Sequence, residues 1–89
     1  MKTEIEHRPA SGMFVALTDR VESGFLTYRI GNNIFTQLEV NVEKGFRGIG
    51  IDKDLEQTAR KYSEQAGYEY RIEENYAATH PDLKIGKTI

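Results

Sequence analysis

The sequence predicts an α+β domain: a mixed, mostly antiparallel sheet, one main helix and a short C-terminal helix. Three observations lead there. Residues 34–42 alternate with a period of two, as a strand does. From Leu55 onward the apolar spacing becomes helical, with Leu55, Ala59, Tyr62 and Ala66 at i, i+4, i+7 and i+11. Between the two periods lies Gly45-Phe46-Arg47-Gly48-Ile49-Gly50-Ile51-Asp52, a glycine-rich junction of strand and helix.

Taken in order, Ile5 begins a short strand that Pro9 and the Ala10-Ser11-Gly12 turn signals end. Met13 to Leu17 is an apolar run of strand length, closed by Thr18-Asp19-Arg20. After the turn signal Ser23-Gly24, the aromatic and β-branched residues of Phe25 to Ile30 predict the next strand. Gly31-Asn32-Asn33 supplies residues that tolerate positive φ, which suits a tight hairpin. In the strand that follows, Ile34, Thr36, Leu38, Val40 and Val42 share the expected core face. Phe35, Gln37, Glu39, Asn41 and Glu43 share the polar one.

Asp52 suits the N-cap of the helix, Asp54 its first turn, and Gly67 a left-handed C-terminal cap. Alternation returns in Tyr68 to Ile72, and strand–helix–strand order predicts a right-handed crossover to a parallel pairing with the strand at 34–42. Glu73 to Thr79 is read as the short helix, stopped by His80-Pro81, with Asp82 to Ile89 an irregular tail.

The 89 residues predict a single domain over 1–89. Twelve basic and 14 acidic residues are interspersed, for a net charge of −2, which disfavours general nucleic-acid or anionic-membrane binding. Cysteine is absent, excluding disulfides, thiolate metal sites and cysteine nucleophiles, and fitting a cytoplasmic protein. The start lacks a signal-peptide h-region and no apolar run has spanning length. With two histidines far apart, no metal site is readable.

A glycine turn at a helix N-terminus directs backbone N–H groups and partial positive charge at an anion. Four motifs compete for this one. A P-loop requires Lys-Ser or Lys-Thr after the glycines, which is missing, and a dinucleotide fingerprint has the spacing Gly-x-Gly-x-x-Gly rather than Gly-x-x-Gly-x-Gly. Lys44-Gly45-Phe46 opens like an RNA-recognition strand, but Gly48 and Ile51 stand where stacking aromatics belong. The fourth motif is an Arg/Gln-x-x-Gly-x-Gly/Ala pyrophosphate loop.

Arg47-Gly48-Ile49-Gly50-Ile51 resembles the Arg-Gly-x-Gly-Ile form of that loop in the GNAT superfamily of N-acetyltransferases. Phe25 to Arg29, Val42 to Leu55, Tyr62, Gly67 and Tyr76…His80-Pro81 follow the order of the superfamily's very small single-domain branch. The resemblance implies a sheet whose strand at 34–42 and final strand splay at the glycine turn, with acetyl-CoA in the V as cosubstrate. Amides of Phe46, Arg47, Gly48, Ile49, Gly50 and Ile51 would hold pyrophosphate, and the edge from Glu39 through Val40 to Val42 the pantetheine arm. It implies direct transfer to an amine of a protein or small molecule, with no metal.

The chain departs from the pattern in four places. Asp52 replaces the last small residue of the loop. Glu74 stands where small members usually carry cysteine, Tyr76…His80 is about one helical turn short, and Glu39-Val40 replaces the usual His-Thr. As implied catalytic residues, Glu39 and Glu74 are candidate bases and Tyr76 a candidate acid. Beside these stand a solvated strand residue, an exposed carboxylate and a packing aromatic. His80 reads as structural or exposed, and His7 is uninformative. Arg47 has no packing reason visible in the sequence, so a phosphate role stands level with an exposed one. The readings left open are an acetyl-CoA-dependent N-acetyltransferase, a non-catalytic CoA- or phosphate-binding module, and an interaction domain.

Overall fold

A computed structural model describes residues 2–73. It contains β1 (Thr3–Arg8), β2 (Met13–Thr18), β3 (Val21–Gly31), β4 (Ile34–Val42), α1 (Ile51–Ala66) and β5 (Glu69–Ile72), with 3₁₀ turns at Pro9–Ser11 and Lys44–Phe46. The expected short C-terminal helix, with Glu74, Tyr76 and His80, lies outside the described residues.

Turn chemistry sets the sheet. Asp19 and Arg20 (φ 50° and 71°) join β2 to β3, and Asn32 and Asn33 (φ 54° and 64°) join β3 to β4. Two consecutive positive-φ residues match the right-handed twist of the strands they link, so each pair closes a tight hairpin. The strand order is β1-β2-β3-β4-β5, antiparallel throughout except for the parallel β4/β5 pair.

Two irregularities correct the sequence reading. Ser23-Gly24 is no turn but lies inside β3. Ala16 pairs with Gly24 and Leu17 with Glu22, leaving Ser23 as an extra residue. In β4, Thr27 faces Glu39 while Tyr28 faces Gln37, so Leu38 is extra. A bulge exchanges the two faces of a strand. Phe35 and Gln37 are therefore buried before Leu38, whereas Val40 and Val42 pack on the core after it. The single core face expected from Ile34 to Val42 does not exist.

The core lies between one face of the sheet and α1: Phe14, Ala16, Leu26, Tyr28 and Phe35 against Ile51, Leu55 and Ala59. Leu55 is fully buried, worth about 1.5–3 kcal/mol relative to exposure. The buried helical stripe is Ile51, Leu55, Ala59 and Ser63, and the expected Ala66 is exposed. Steps of four drift around the helix, which brings Ser63 beneath the exit turn. There its carbonyl accepts the Tyr68 N–H (2.9 Å) and its hydroxyl donates to the Tyr68 carbonyl (3.3 Å). Gly67 caps the helix in the left-handed conformation, as expected.

One aromatic ring from each strand crosses the core face: His7, Phe14, Tyr28, Phe35 and Tyr70. His7 stacks on Phe14 (4.2 Å), and Phe35 stacks on Tyr28 (4.5 Å) and on Tyr70 (5.1 Å). His7 Nε2 and the Tyr28 hydroxyl share a hydrogen bond of 2.6 Å. Burial holds the His7 imidazole below its usual pKa and pushes the Tyr28 phenol above its own. Tyr70 donates to Gln37 Oε1 and carries the Arg60 guanidinium over its ring at 4.3 Å.

On the opposite face the Arg8–Glu22 ion pair (3.3 Å) runs across β2, and Arg8 also holds Glu6 (2.9 Å). Val15, between these rows, is only 2% exposed. The arginine stem covers apolar surface while its head stays wet. At the end of the layer near β3's start, Thr3, Thr18 and Ser23 join hydroxyls at 2.9 and 2.8 Å, and Ser23 donates to the Ala16 carbonyl at 3.2 Å. Thr18 and Ser23 are completely buried there.

Candidate functional site

The parallel ladder between β4 and β5 runs from Ile34/Glu69 to Gln37/Ile72 and closes with the Glu73 N–H on the Gln37 carbonyl (2.8 Å). It stops where the Leu38 bulge begins. β4 continues to Val42 paired only with β3, so its other edge faces away from any described strand. Glu73 is also the last described residue, so beyond Gln37 the β4 edge faces no described strand.

The chain then turns to α1. The Glu43 N–H bonds the Ser23 carbonyl (2.8 Å), the Phe46 N–H bonds the Glu43 carbonyl (2.8 Å), and Phe46 packs on the core. Gly48 and Gly50 follow with φ of 85° and 90°. A Cβ at either would meet nothing within 4 Å. These glycines therefore answer to backbone conformation, with open space above them, rather than to crowding. Left-handed residues either side of Ile49 form the kind of bend in which successive N–H groups line a concavity.

Gly50, not Asp52, occupies the N-cap of α1, and its carbonyl accepts the first helical bond from the Asp54 N–H (3.0 Å). The sequence favoured Asp52 as a typical cap, but the helix begins earlier because the left-handed glycine ends the loop directly at Ile51. Asp52 is the second helical residue. No side chain caps the helix, so its leading N–H groups have no side-chain acceptor to satisfy them.

A cleft of about 310 Å³ opens here, lined by Val42, Arg47, Gly48, Ile51 and Asp52. Its size is at the lower end for small-molecule sites. Arg47 does have a structural reason for its place: Nε donates to the Val42 carbonyl (3.0 Å), tying the loop to the end of β4. The helix N-terminus adds roughly half a positive charge. Asp52, a residue of the same lining, carries the opposite charge.

The other expected site residues divide. Ile51 is 2% exposed, Val40 and Phe46 lie half-buried against the core, and Ile49 stands out at the loop apex, 53% exposed. Glu39 is exposed and pairs with Thr27, on the sheet face away from α1. Glu74 and Tyr76 lie outside the described residues. Among the described residues, no group of three His, Asp or Glu side chains is placed to hold a metal ion, and no helix is long and apolar enough to cross a membrane.

Three-dimensional comparison decides the fold. PaiA N-acetyltransferase of Thermoplasma acidophilum, solved with coenzyme A, aligns over 86% of this chain and 51% of its own, at 22% identity and a TM-score of 0.63. The fold is that of the GNAT N-acetyltransferases. Ard1 of Thermoplasma volcanium aligns over 88% of this chain and 56% of its own, at 18% identity and a TM-score of 0.62. A Bacillus anthracis str. Ames protein assigned as a streptothricin acetyltransferase, in complex with acetyl coenzyme A, aligns over 81% and 44%, at 22% identity and a TM-score of 0.61. The chain thus spans about half the length of these structures. Its sequence matches no protein-family model and no curated protein. The α+β class, the mostly antiparallel mixed sheet and the parallel final strand all stand as expected.

Two features escaped the sequence reading, the first of them beside the cleft. Ser23 and Gly24 read as a turn because serine and glycine usually punctuate. The role of His7 was invisible, since its ring partners come from strands whose registers depend on the bulges.

Proposed function

We propose that residues 1–89 form one acetyl-CoA-binding domain that transfers acetyl directly to an amine, in the cytoplasm. The observation that carries this is an uncapped helix N-terminus entered through two left-handed glycines, beside a β4 end paired only with β3 among the described strands. The residues present fit the cosubstrate. Amides from Phe46 to Ile51 would receive the pyrophosphate, and the β4 edge at Glu39, Val40 and Val42 would run alongside the pantetheine arm. Room above Gly48 and Gly50 and the cleft at Val42, Arg47 and Ile51 favour this fit.

The thioester, when bound, supplies an electrophilic carbonyl and a thiolate leaving group. This chain orients it and handles the protons. A new C–N bond forms as the C–S bond breaks. The amine's proton passes to water or to a carboxylate, Glu39 or Glu74, and Tyr76 is the candidate donor to the departing sulfur. No metal is required. The acceptor is an amine of a protein or small molecule.

A second reading, a CoA-binding module without turnover, is favoured by one observation: an acidic residue, Asp52, is among those lining the cleft, where a negative charge would repel a pyrophosphate. Titrating acetyl-CoA into ¹⁵N-labelled protein tests both, and shifts of the amides of residues 46–52 are expected. No shift at millimolar ligand refutes both readings. Saturable binding without thiol release across a panel of amines leaves the module. Arg47→Glu should weaken binding sharply, and unchanged affinity refutes the pyrophosphate assignment.

A further inference from the structure

Gly24 lies buried in β3, paired with Ala16 of β2 and Val42 of β4. A glycine within a central strand weakens it, and marks a bulge or a close approach of backbone. Here the close approach is measurable. A Cβ on Gly24 would sit 2.7 Å from the Asn41 carbonyl oxygen, 3.3 Å from Ile51 Cγ2 and 3.4 Å from Val42 Cα. Two of these neighbours, Val42 and Ile51, line the cleft, and Asn41 leads into it. Ile51 is also the first residue of α1.

Gly24 is held from behind as well. Ser23, the bulged residue before it, is completely buried, hydrogen-bonded to Thr18 and to the Ala16 carbonyl, and its own carbonyl receives the Glu43 N–H. β3 therefore cannot retreat to make room for a side chain without breaking that set. An added methyl must instead push the end of β4 and the start of α1 away.

We propose that Gly24 is a positioning residue for the anion cleft. Its bare Cα sets how deeply the first residue of α1 seats on the sheet, and so where the loop and helix amides stand relative to the β4 edge. The part of this inference that concerns affinity rests on the acetyl-CoA reading; the geometric part does not.

The test compares wild type, Gly24→Ala and Val15→Ala, the last a core truncation on the opposite sheet face that controls for lost stability. In Gly24→Ala without ligand, the amides of residues 48–54 are expected to shift more than those of β1. Its affinity for acetyl-CoA should fall about tenfold, equivalent to about 1.4 kcal/mol. Val15→Ala should keep wild-type affinity. Wild-type affinity in Gly24→Ala, or unshifted loop amides, overturns the inference. If wild type itself fails to bind acetyl-CoA, the proposed function falls while the amide shifts still decide the role of Gly24. If Gly24→Ala fails to fold, the wild-type nuclear Overhauser contact between Gly24 Hα and the Ile51 γ2 methyl decides instead. Its presence supports the seat, and its absence overturns it.

Discussion

Replacing Gly50 by alanine separates backbone strain from crowding. At φ 90° and ψ 13° this residue is left-handed, and a Cβ there has nothing within 4 Å. The cost is then conformational alone, about 1–2 kcal/mol for an L-residue in this region. Alanine also restricts the unfolded chain, which returns about 0.4–1 kcal/mol. The net expectation is a loss of about 1 kcal/mol, or a Tm lower by roughly 4–8 °C for a domain of this size. Gly45 provides the contrast. It has no positive φ and equally open surroundings, so Gly45→Ala should be neutral or stabilise by about 0.4–1 kcal/mol. Gly50→Asn should cost less than Gly50→Ala, since asparagine visits left-handed space more readily. Urea denaturation with a shared m-value measures all three. A Gly50→Ala protein at least as stable as wild type would refute the claim that the helix entry demands a left-handed residue.

Three further outcomes are expected. Asp52→Asn removes a negative charge from a residue that lines the cleft and should tighten acetyl-CoA binding several-fold by calorimetry, while costing about 0.3–1 kcal/mol of helix stability; unchanged or weaker binding would mean that the side chain turns away. Burial lowers the His7 pKa in the folded state, so the unfolded chain takes up the proton first as pH falls. Stability from this residue is complete above the unfolded value of about 6.5 and declines as pH drops from there through the folded pKa. Denaturation midpoints at several pH values should show this slope in wild type and lose it in His7→Phe. Leu55→Ala empties a fully buried position and should cost about 2–5 kcal/mol, read from the same denaturation curves.

The extent to which the fold was legible follows from how local each signal is. The hairpin at Asn32-Asn33, the helix from Leu55 to Ser63 and the left-handed cap at Gly67 depend on neighbouring residues, and each was readable as a turn, a period or a cap. The bulges at Ser23 and Leu38 depend on partner strands, which no run of one chain displays. Their consequences were therefore missed together: the exchanged faces of β4, the placement of Phe35 and Gln37 in the core, and the service of Gly24 to the cleft. At the site, the glycines of the loop carried their meaning in their spacing. Arg47 did not, because its bond to the Val42 carbonyl crosses between elements. Asp52 was misplaced by one turn of reasoning: aspartate suits an N-cap, but a left-handed glycine two residues earlier had already filled that position.

The buried hydroxyls at the start of β3 have a direction. Each hydroxyl owns one proton, and Ser23 spends its own on the Ala16 carbonyl. The proton between Thr18 and Ser23 must then come from Thr18, and the one between Thr3 and Thr18 from Thr3. One backbone acceptor thus orders three protons, and the array behaves as a one-way relay anchored at its inner end. Removing the outermost member leaves the inner bonds intact, whereas Ser23→Ala strands the Thr18 proton inside the protein and frees every rotor behind it. The backbone ladder from Thr3/Thr18 to Arg8/Met13 holds the edge strand β1 to β2, and this relay adds a side-chain tie at its Thr3 end, so a change beside the cleft reaches the far margin of the fold.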